Sequence, residues 1–387
     1  PVPNGAGWNS SAPTLTLTAT DAGTGVASIT YKVGAAAPVT VNAASTSFTV
    51  SAAGSTTVTY SATDVAGNGE SAKTYTVKLD SSAPATTLAS SPVPNGAGWN
   101  SSAPTLTLTA TDAGSGVASI TYKIGAAAPV TVVGASTSFA VSAQGSTTVT
   151  YAATDAAGNV ETTKTYTVKL DTLAPAAPTG VAISADTGSS STDGVTKTAV
   201  QTLSGTAEAN STVELKLGAV VQGTTTASGT GAFAFSLGTL AEGSYGYTVT
   251  AIDAAGNRST GTSYTVRVDT RAAVLSGVFP VNGGIYSNGQ FKNGCATQDS
   301  VCGTVTDPAY TAGLGTVNLK LTNSAGNCLS AGGTFTSAAC STPLVPTGTT
   351  SWNHVVGTLA TGSYTLTVTV TDLAGNILVG TYAFIRS

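Results

Sequence analysis

The amino-acid sequence predicts an all-β protein, built as a tandem array of four β-sandwich domains. Apolar residues alternate with threonine in short runs such as Leu15-Thr-Leu17, which is the period of two expected of half-buried strands. No segment shows the period of a helix. Residues 1–80 return at 92–171, with a spacing of 91 residues and only eleven differences. A turn motif, Asp-x-Ala-Gly-Asn, occurs four times, beginning at Asp64, Asp155, Asp253 and Asp372.

Short linkers follow these motifs and divide the chain. The linkers are Asp80-Ser-Ser-Ala-Pro84, Asp171-Thr-Leu-Ala-Pro175 and Asp269-Thr-Arg-Ala-Ala273. Each predicted domain holds about six or seven short strands separated by glycine and asparagine turns, which is typical of an immunoglobulin-like sandwich with Greek-key connections. Because the linkers leave little slack, the array is expected to be elongated, at roughly 35 to 40 Å per domain and about 140 to 160 Å in total. Domains 1 to 4 are predicted at residues 1–80, 81–171, 172–269 and 270–387.

The composition argues against several classes of function. The 14 lysine and arginine residues are scattered and the net charge is −4, so no nucleic-acid surface is expected. No apolar run approaches the roughly 18 to 20 residues of a membrane-spanning helix. His354 is the only histidine, and neither a G-x-S-x-G elbow nor a phosphate-binding G-x-x-x-x-G-K motif is present. The sequence therefore predicts a protein that is not an enzyme and has no cofactor other than a calcium ion considered below, with His354 as a surface residue.

Four cysteines, all in domain 4, predict two disulfides in an exported protein. The pairs Cys295–Cys302 and Cys328–Cys340 are favoured, because each flanks a Gly/Ser/Ala-rich insertion that the other domains lack. Closing such loops stabilises a fold by roughly 2.5 to 3 kcal/mol each in the chain-entropy model. Zinc is the competing interpretation, but no two cysteines have C-x-x-C spacing. Disulfides favour an extracellular or cell-surface location.

Aspartates at the turns and linkers allow two interpretations. Each turn aspartate could cap free N–H groups of a hairpin whose glycine and asparagine tolerate positive φ, and no ion is then needed. Alternatively, calcium could be held at the domain junctions by carboxylates from both sets and so stiffen the array. It should then matter least at the third junction, where Arg258 and Arg271 bring positive charge. The candidate calcium ligands are Asp64, Asp80, Asp155 and Asp171.

Two tryptophans and three tripeptides raise the question of carbohydrate. Trp8 and Trp99 precede the first regular strand of their domains. An exposed indole there could stack on a sugar, whereas a buried one would close the end of the sandwich, and the second role is favoured. Asn9, Asn100 and Asn210 begin Asn-x-Ser/Thr sequons, and the sequence does not decide whether sugar is attached.

The motifs of domains 1 and 2 resemble a known family. Asp112-Ala-Gly-Ser-Gly116, Ile120-Thr-Tyr122 and Ala153-Thr-Asp-Ala-Ala-Gly-Asn159 are similar to bacterial Ig-like repeats of the OmpL47 type. Domain 3, with Leu203-Ser-Gly-Thr-Ala-Glu208, and the end of domain 4, with Gly362-Ser-Tyr364, resemble other bacterial Ig-like types. Such modules imply stalks and spacers in adhesins, surface-layer proteins, secreted enzymes and appendages. The family has no catalytic residue to transfer to this chain.

The start of domain 1 lacks one segment. Domain 2 begins with residues 84–91, which are expected to form its first edge strand, whereas Pro1 aligns with Pro92. Either the natural protein continues upstream, or the open edge accepts a strand from a neighbouring subunit in a head-to-tail assembly.

Three functions are compatible with these features. The leading hypothesis is a non-catalytic extracellular stalk or spacer, part of a bacterial surface adhesin or filament. One alternative is a module that binds a glycan or a protein, with domain 4 at its tip. The other is an accessory region of a larger secreted enzyme.

Overall fold

The computed structural model describes residues 2–307 and 313–387, and it confirms the all-β prediction. Pro1, at which the alignment of domain 1 with domain 2 starts, lies outside the described residues. The chain divides into two compact units, Pro1–Leu173 and Ala174–Ser387, each with two β-sandwiches. No helix in the described part of the chain is long and apolar enough to cross a membrane.

Domain 1 shows the strand arrangement on which the other domains are built. Its strands are β1 (Trp8–Asn9), β2 (Thr14–Thr18), β3 (Val26–Val33), β4 (Val39–Val41), β5 (Ser45–Thr49), β6 (Gly54–Asp64) and β7 (Lys73–Leu79). The larger sheet has the order β1-β7-β6-β3-β4, and the smaller sheet is the pair β2-β5. All neighbours are antiparallel except β1, which runs parallel to β7.

Domain 2 repeats this arrangement with one strand more. Its strands are β8 (Ala85–Ser91), β9 (Trp99–Asn100), β10 (Thr105–Thr111), β11 (Val117–Ile124), β12 (Val130–Val133), β13 (Ser136–Ala140), β14 (Gly145–Asp155) and β15 (Lys164–Leu170). The larger sheet has the order β9-β15-β14-β11-β12, as in domain 1. The smaller sheet is β8-β10-β13, so β8 covers the edge that stays open in the described part of domain 1.

Domain 3 has the same two sheets as domain 2. Its strands are β16 (Thr179–Ile183), β17 (Val195–Thr196), β18 (Val200–Thr206), β19 (Thr212–Leu217), β20 (Val220–Thr226), β21 (Ala232–Thr239), β22 (Gly243–Ile252) and β23 (Thr262–Val268). The sheet orders are β17-β23-β22-β19-β20 and β16-β18-β21.

Domain 4 extends the arrangement with insertions. Its strands are β24 (Val274–Phe279), β25 (Gly284–Tyr286), β26 (Ser300–Thr306), β27 (Leu314–Asn323), β28 (Cys328–Leu329), β29 (Phe335–Thr336), β30 (Ser351–Val355), β31 (Gly362–Asp372) and β32 (Ile377–Arg386). The sheets are β25-β32-β31-β27-β28-β29 and β24-β26-β30. Two short helices, α1 (Asn288–Lys292) and the 3₁₀-helix Ala338–Ser341, lie in the insertions. A single helical turn is too short to show a period in the sequence, so neither was predicted.

The alternating apolar residues meet between the two sheets of each domain. In domain 1, Leu15 and Phe48 of the smaller sheet pack on Val58 and Val77 of the larger one. Domain 4 has the largest core of the described domains, and it includes Trp352, which is 1% exposed. This layered burial is the arrangement that the period of two requires, since successive side chains point to opposite faces of a strand.

The four cysteines form two disulfides, Cys295–Cys302 and Cys328–Cys340, and none is free. These are the pairs that the insertions favour on sequence grounds. The first bond joins the segment after α1 to β26, and the second joins β28 to the 3₁₀-helix. Each disulfide therefore closes an insertion onto a strand of the domain 4 sandwich.

Reduction of the protein should lower the melting temperature of domain 4 alone. Two loop closures together are worth about 5 kcal/mol, which corresponds to a decrease of roughly 10 °C or more for a domain of this size. Calorimetry with and without a reductant measures this decrease. In the variant Cys295→Ala/Cys302→Ala, which keeps one disulfide, the decrease on reduction should be about half as large. A domain 4 transition that is unchanged by reductant would contradict a stabilising role of the disulfides.

Candidate metal centres at the domain junctions

Each Asp-x-Ala-Gly-Asn motif forms a tight turn that its own aspartate closes. In domain 2, Asp155 Oδ1 accepts the backbone N–H of Asn159 at 2.7 Å, and Oδ2 accepts from Asn159 Nδ2 at 2.6 Å. Gly158 lies between them with φ of 94°, a conformation that favours glycine. The turns therefore need no ion. The same two hydrogen bonds join Asp64 to Asn68, Asp253 to Asn257 and Asp372 to Asn376.

Three carboxylates meet at the junction of domains 1 and 2. Asp80 comes from the linker, Asp112 from the loop before β11 and Asp155 from the turn, and one oxygen of each lies within 4.8 Å of the others. Asp80 and Asp155 are only 3% and 2% exposed. None of the ion pairs between described residues involves these three groups. Sequence reasoning had singled out Asp80 and Asp155 but not Asp112.

Backbone N–H groups hold this cluster in place. Asp80 Oδ1 accepts from Ser82 N at 3.0 Å and Oδ2 from Ser115 N at 2.7 Å. Burial raises the pKa of Asp80, but these hydrogen bonds outweigh it, so the pKa lies below its ordinary value. A Cβ atom on Gly114 would lie 2.4 Å from the Asp80 carboxylate, so this close approach requires glycine.

Equivalent carboxylates occur at the junction of domains 3 and 4. Asp269 lies in the linker, Asp307 before β27 and Asp372 in the turn. Asp269 and Asp372 are 0% and 1% exposed. Asp307 Oδ2 accepts from Gly313 N at 3.1 Å, as Asp112 accepts from Gly116 N at 2.7 Å in domain 2.

Asp269 is less well satisfied than Asp80. Its Oδ1 accepts from Arg271 N at 3.1 Å, whereas Oδ2 is buried and has no hydrogen-bond partner in the described residues. Burial raises the pKa of Asp269 to about 6; the Arg271 N–H opposes this rise, and the charges of Asp307, Asp372 and Glu242 add to it. At neutral pH the junction therefore holds a buried negative charge that a cation would stabilise.

The arginines expected to weaken calcium binding at this junction make other contacts. Arg271 pairs with Glu242 at 3.4 Å, and Arg258 pairs with Glu214 in domain 3. Each guanidinium group therefore pairs with a glutamate, which in the case of Glu214 also pairs with Lys216, and Asp269 is paired with neither arginine side chain. The expectation that calcium matters least at this junction stays a prediction.

The other two predicted calcium ligands lie elsewhere. Asp64 sits half-buried in the turn of domain 1, where hydrogen bonds from Asn68 lower its pKa. Asp171 ends domain 2, and its Oδ1 accepts from Leu173 N at 3.0 Å. Neither belongs to the three-carboxylate cluster that the described residues form around Asp80.

The oxygen ligands of both junctions fit a hard cation. Ca²⁺ is bound by six to eight oxygens, with carboxylates foremost, whereas zinc sites usually contain histidine or cysteine. At each junction two of the carboxylates are almost fully buried, and at the junction of domains 3 and 4 the Lys197 ammonium group also lies beside the turn, where it donates to the Gly375 backbone oxygen. Asp80, Asp112 and Asp155 are the residues that would hold the ion. Asp269, Asp307 and Asp372 occupy the corresponding sequence positions at the other junction, but among the described residues only the first group brings one oxygen of each carboxylate within 4.8 Å of the others.

The tryptophans and the histidine lie away from these clusters. Trp8 and Trp99 are half-buried, and the ammonium groups of Lys78 and Lys169 lie 5.8 and 5.9 Å from their ring centroids. The indoles are thus neither fully buried plugs nor open platforms for a sugar. His354 is half-buried in β30, and burial lowers its pKa.

Two of the three sequons are closed to modification in the folded protein. Asn9 and Asn100 are 6% and 4% exposed, and their Nδ2 atoms donate to the backbone oxygens of Lys78 and Lys169. This burial follows from the parallel pairing of β1 with β7 and of β9 with β15. Asn210 is exposed in a turn with φ of 63°.

Two family models match the chain, and each describes a bacterial Ig-like domain. One matches residues 174–270, and the other matches residues 125–172 and 276–385. The chain is a bacterial Ig-like domain repeat protein. The assignment of domains 1 and 2 to the OmpL47 type stays a prediction, and no curated protein matches the chain.

This Ig-like repeat protein is similar to several solved structures. A tetra-tandem repeat in the extending region of a large adhesion protein is 22% identical, with 100% of this chain and 98% of that chain covered and a TM-score of 0.36. The fibronectin(III)-like modules of CbhA from Clostridium thermocellum are 16% identical, with 47% and 94% covered and a TM-score of 0.30. CopC from Methylosinus trichosporium OB3b is 16% identical, with 30% and 94% covered and a TM-score of 0.21.

Asp269→Asn and Asp80→Asn should change stability in opposite directions at pH 7 in calcium-free buffer. The raised pKa of Asp269 means that folding stability falls as the pH rises from 3.8 to about 6. Asp269→Asn should therefore gain about 2 to 3 kcal/mol over the wild type at pH 7 and almost nothing at pH 4. The lowered pKa of Asp80 means that its ionised form contributes stability at pH 7, which is lost as the pH falls through the folded-state pKa.

Denaturant unfolding of both variants and the wild type at pH 4 and pH 7 measures these differences. Asp80→Asn serves as the matched control, because it removes the same charge from the equivalent position and should lose stability at pH 7. An Asp269→Asn variant that is less stable than the wild type at pH 7 would contradict an uncompensated buried charge.

Proposed function

We propose that the chain is a non-catalytic structural spacer of an extracellular or cell-surface protein of the adhesin or filament type. The spacer is built from Ig-like domains. Side chains hold the junction between the two domains of each unit, so this junction is not a free linker. The family and the two disulfides support this role, since Ig-like repeats and disulfides are common in exported proteins.

One repeated contact carries the proposal. In domain 2, Asn159 Nδ2 donates to the backbone oxygen of Asp80 at 2.8 Å, while it also closes its own turn. In domain 4, Asn376 Nδ2 donates to the backbone oxygen of Asp269 at 2.9 Å. The turn of the following domain therefore binds the residue with which the preceding domain ends. This contact restricts rotation at the linker.

Further contacts reinforce each junction from the preceding domain. Asn4 Nδ2 of domain 1 donates to the backbone oxygen of Ala156 at 2.8 Å. Lys197 Nζ of domain 3 donates to that of Gly375 at 2.9 Å, and Thr187 Oγ1 donates to that of Ala374. All three acceptors lie in the Asp-x-Ala-Gly-Asn turns. The turn is thus the contact surface on which the preceding domain rests.

Asn159→Ala should free the linker that follows domain 1. The substitution removes the bond to Asp155 and the bond to the linker; loss of the linker bond, about 1 to 1.4 kcal/mol, should speed hydrogen exchange of the linker amides by about 5- to 10-fold. Exchange of the amides of residues 81–83 and of Ser115 in the full chain, followed by mass spectrometry, measures this change.

Asn68→Ala is the matched control for this experiment. Asn68 makes the same two bonds to Asp64 and, among the described residues, reaches no linker. It should loosen its own turn and leave residues 81–83 unchanged. Linker amides that exchange at random-coil rates in the wild type would indicate a free tether and contradict the spacer.

A second part of the proposal is that Ca²⁺ binds the junction carboxylates and strengthens the spacer. The observation that favours it is the buried Oδ2 of Asp269, which has no hydrogen-bond partner in the described residues, together with the charges of Asp307, Asp372 and Glu242, which raise the pKa of Asp269. A cation that binds only the folded junction stabilises it in proportion to the logarithm of its concentration.

Added Ca²⁺ should raise the melting temperature of each unit at pH 7. Asp80→Asn should remove the increase in the unit formed by domains 1 and 2 only, and Asp269→Asn in the unit formed by domains 3 and 4 only. Calorimetry in chelator and in millimolar Ca²⁺, with Mg²⁺ as the ion control, gives the readout. Identical thermograms would leave the hydrogen-bonded turns as the whole explanation of the junctions.

A further inference from the structure

The larger sheet of domain 4 has a strand edge that is mostly unpaired. β32 is ten residues long, but β25 pairs only with residues 384–386 at its end. No strand of the described chain covers the edge of β32 before them. The corresponding strands β7 and β15 of domains 1 and 2 are likewise paired with β1 and β9 at their last two residues only, and the chain continues beyond both. An open edge at this place is therefore a common feature of these sandwiches.

Every second residue of β32 directs its backbone groups to this edge. Gly283 N donates to the Ala383 oxygen at 2.7 Å, and Ala383 N donates to Asn282 Oδ1 at 3.0 Å. Ala383 thus points away from β31, and in an antiparallel pair the direction alternates from one residue to the next. The residues before Ala383 that point the same way are Ile377, Val379 and Thr381. Their N–H and C=O groups form a template on which another strand can pair.

The edge in domain 4 lacks the charges that its counterparts carry. β7 and β15 each contain two lysines, and β23 contains Arg267. From Ile377 to Ile385, β32 contains neither a charged residue nor a proline. Charged side chains, lysine in particular, and proline keep the edges of sheets from pairing with other chains. Domain 4 therefore lacks this protection.

The outer face of β32 is apolar as well. Ile377, Val379 and Ile385 are 59%, 57% and 42% exposed. Ile285 of β25 lies opposite Ile385 and is 63% exposed. With Ala383, these residues form an exposed row along the edge of the sheet, which we call the apolar row.

The strand register shows that the apolar row is particular to domain 4. Ile385 lies opposite Ser363, the second residue of β31. The residues in the same register in domains 1, 2 and 3 are Lys78, Lys169 and Arg267. Three sandwiches thus place a cation where domain 4 places an exposed isoleucine.

We propose that this edge of domain 4 binds the same edge of a second copy of the chain. The two β32 strands run antiparallel about a two-fold axis perpendicular to the sheet, so that Val379 lies opposite Val379 of the second copy. The larger sheets of the two domains then form one continuous sheet. The interaction joins two chains side by side through domain 4.

A second copy suits this edge for two reasons. Pairing of β32 with itself brings no like charges together, because the strand is uncharged between Ile377 and Ile385. The two-fold axis also places the apolar rows of both copies on the same face, where β-branched side chains from adjacent strands pack on each other. A charged or polar strand would leave the apolar row in water.

The interface is small, so the association should be weak. The unpaired stretch of β32 spans about 20 Å, which places the interface at the low end of specific protein interfaces. We expect a dissociation constant of roughly 10 to 100 μM for the full chain.

Sedimentation of the full chain from about 1 to 500 μM tests this surface. The wild type should change from monomer to dimer over this range, and Val379→Lys should weaken dimerisation at least about 10-fold, because the two lysines face each other across the axis. The variant should fold, since β7 and β15 carry lysine on the same outer face. Val220→Lys is the matched control, because it adds the same charge at an exposed valine on β20, the edge strand of domain 3, and should leave dimerisation unchanged.

Hydrogen exchange of residues 377–383 shows whether β32 is the surface used. Their amides should exchange at least about 3-fold more slowly at 500 μM than at 5 μM in the wild type and equally at both concentrations in Val379→Lys. A chain that stays monomeric up to about 500 μM would overturn the proposal and leave the edge to a partner of different sequence. A dimer without this protection, or one that Val379→Lys and Val220→Lys weaken equally, would overturn it as well.

Discussion

A single side-chain pair, the turn aspartate and the asparagine four residues after it, organises the junction within each unit. In domain 2 the Asn159 amide closes the turn on Asp155 and, with the same nitrogen, reaches the backbone of Asp80. Because one amide group does both, the turn cannot change shape without releasing the linker. The carboxylate cluster depends on it as well, since the turn positions Asp155 and the linker positions Asp80. Ordering of the junction is thus coupled to folding of the domain that follows it.

The linker aspartates of the two units, Asp80 and Asp269, have pKa values shifted in opposite directions. Asp80 has an N–H donor on each oxygen, from Ser82 and Ser115, and its charge is stabilised. Asp269 has the donor from Arg271, but no donor from the described residues reaches its second oxygen. Both carboxylates are almost fully buried, and the charges of Asp307, Asp372 and Glu242 also raise the pKa of Asp269, so the missing N–H and these charges together make the difference. Small changes in loop conformation can therefore decide whether a buried carboxylate is satisfied by the protein or by a cation.

Local signals in the sequence predict most of the fold, but not the complete cluster. Strand alternation, the turn motif and the cysteine-bearing insertions each lie within a short stretch, and the sandwiches, the closed turns and the disulfides follow from them. Asp112 already has a local role, since it accepts the N–H of Gly116, and nothing in its neighbourhood points to a partner across a domain boundary. The burial of Asn100 depends likewise on a parallel pairing with a distant strand. Such contacts are decided by tertiary packing.

Gly114 shows how docking at a junction restricts which residues a repeat can tolerate. A side chain there would collide with Asp80, whereas Gly23, its copy in domain 1, faces only Asp21 at 3.5 Å in the described residues. The glycine at position 114 is therefore required by the docked linker of the preceding domain and not by the fold of its own domain. Sequence drift within an array of this type should slow at residues that touch a neighbour and run freely elsewhere. A domain moved to another place in the array would then carry residues suited to a neighbour it no longer has.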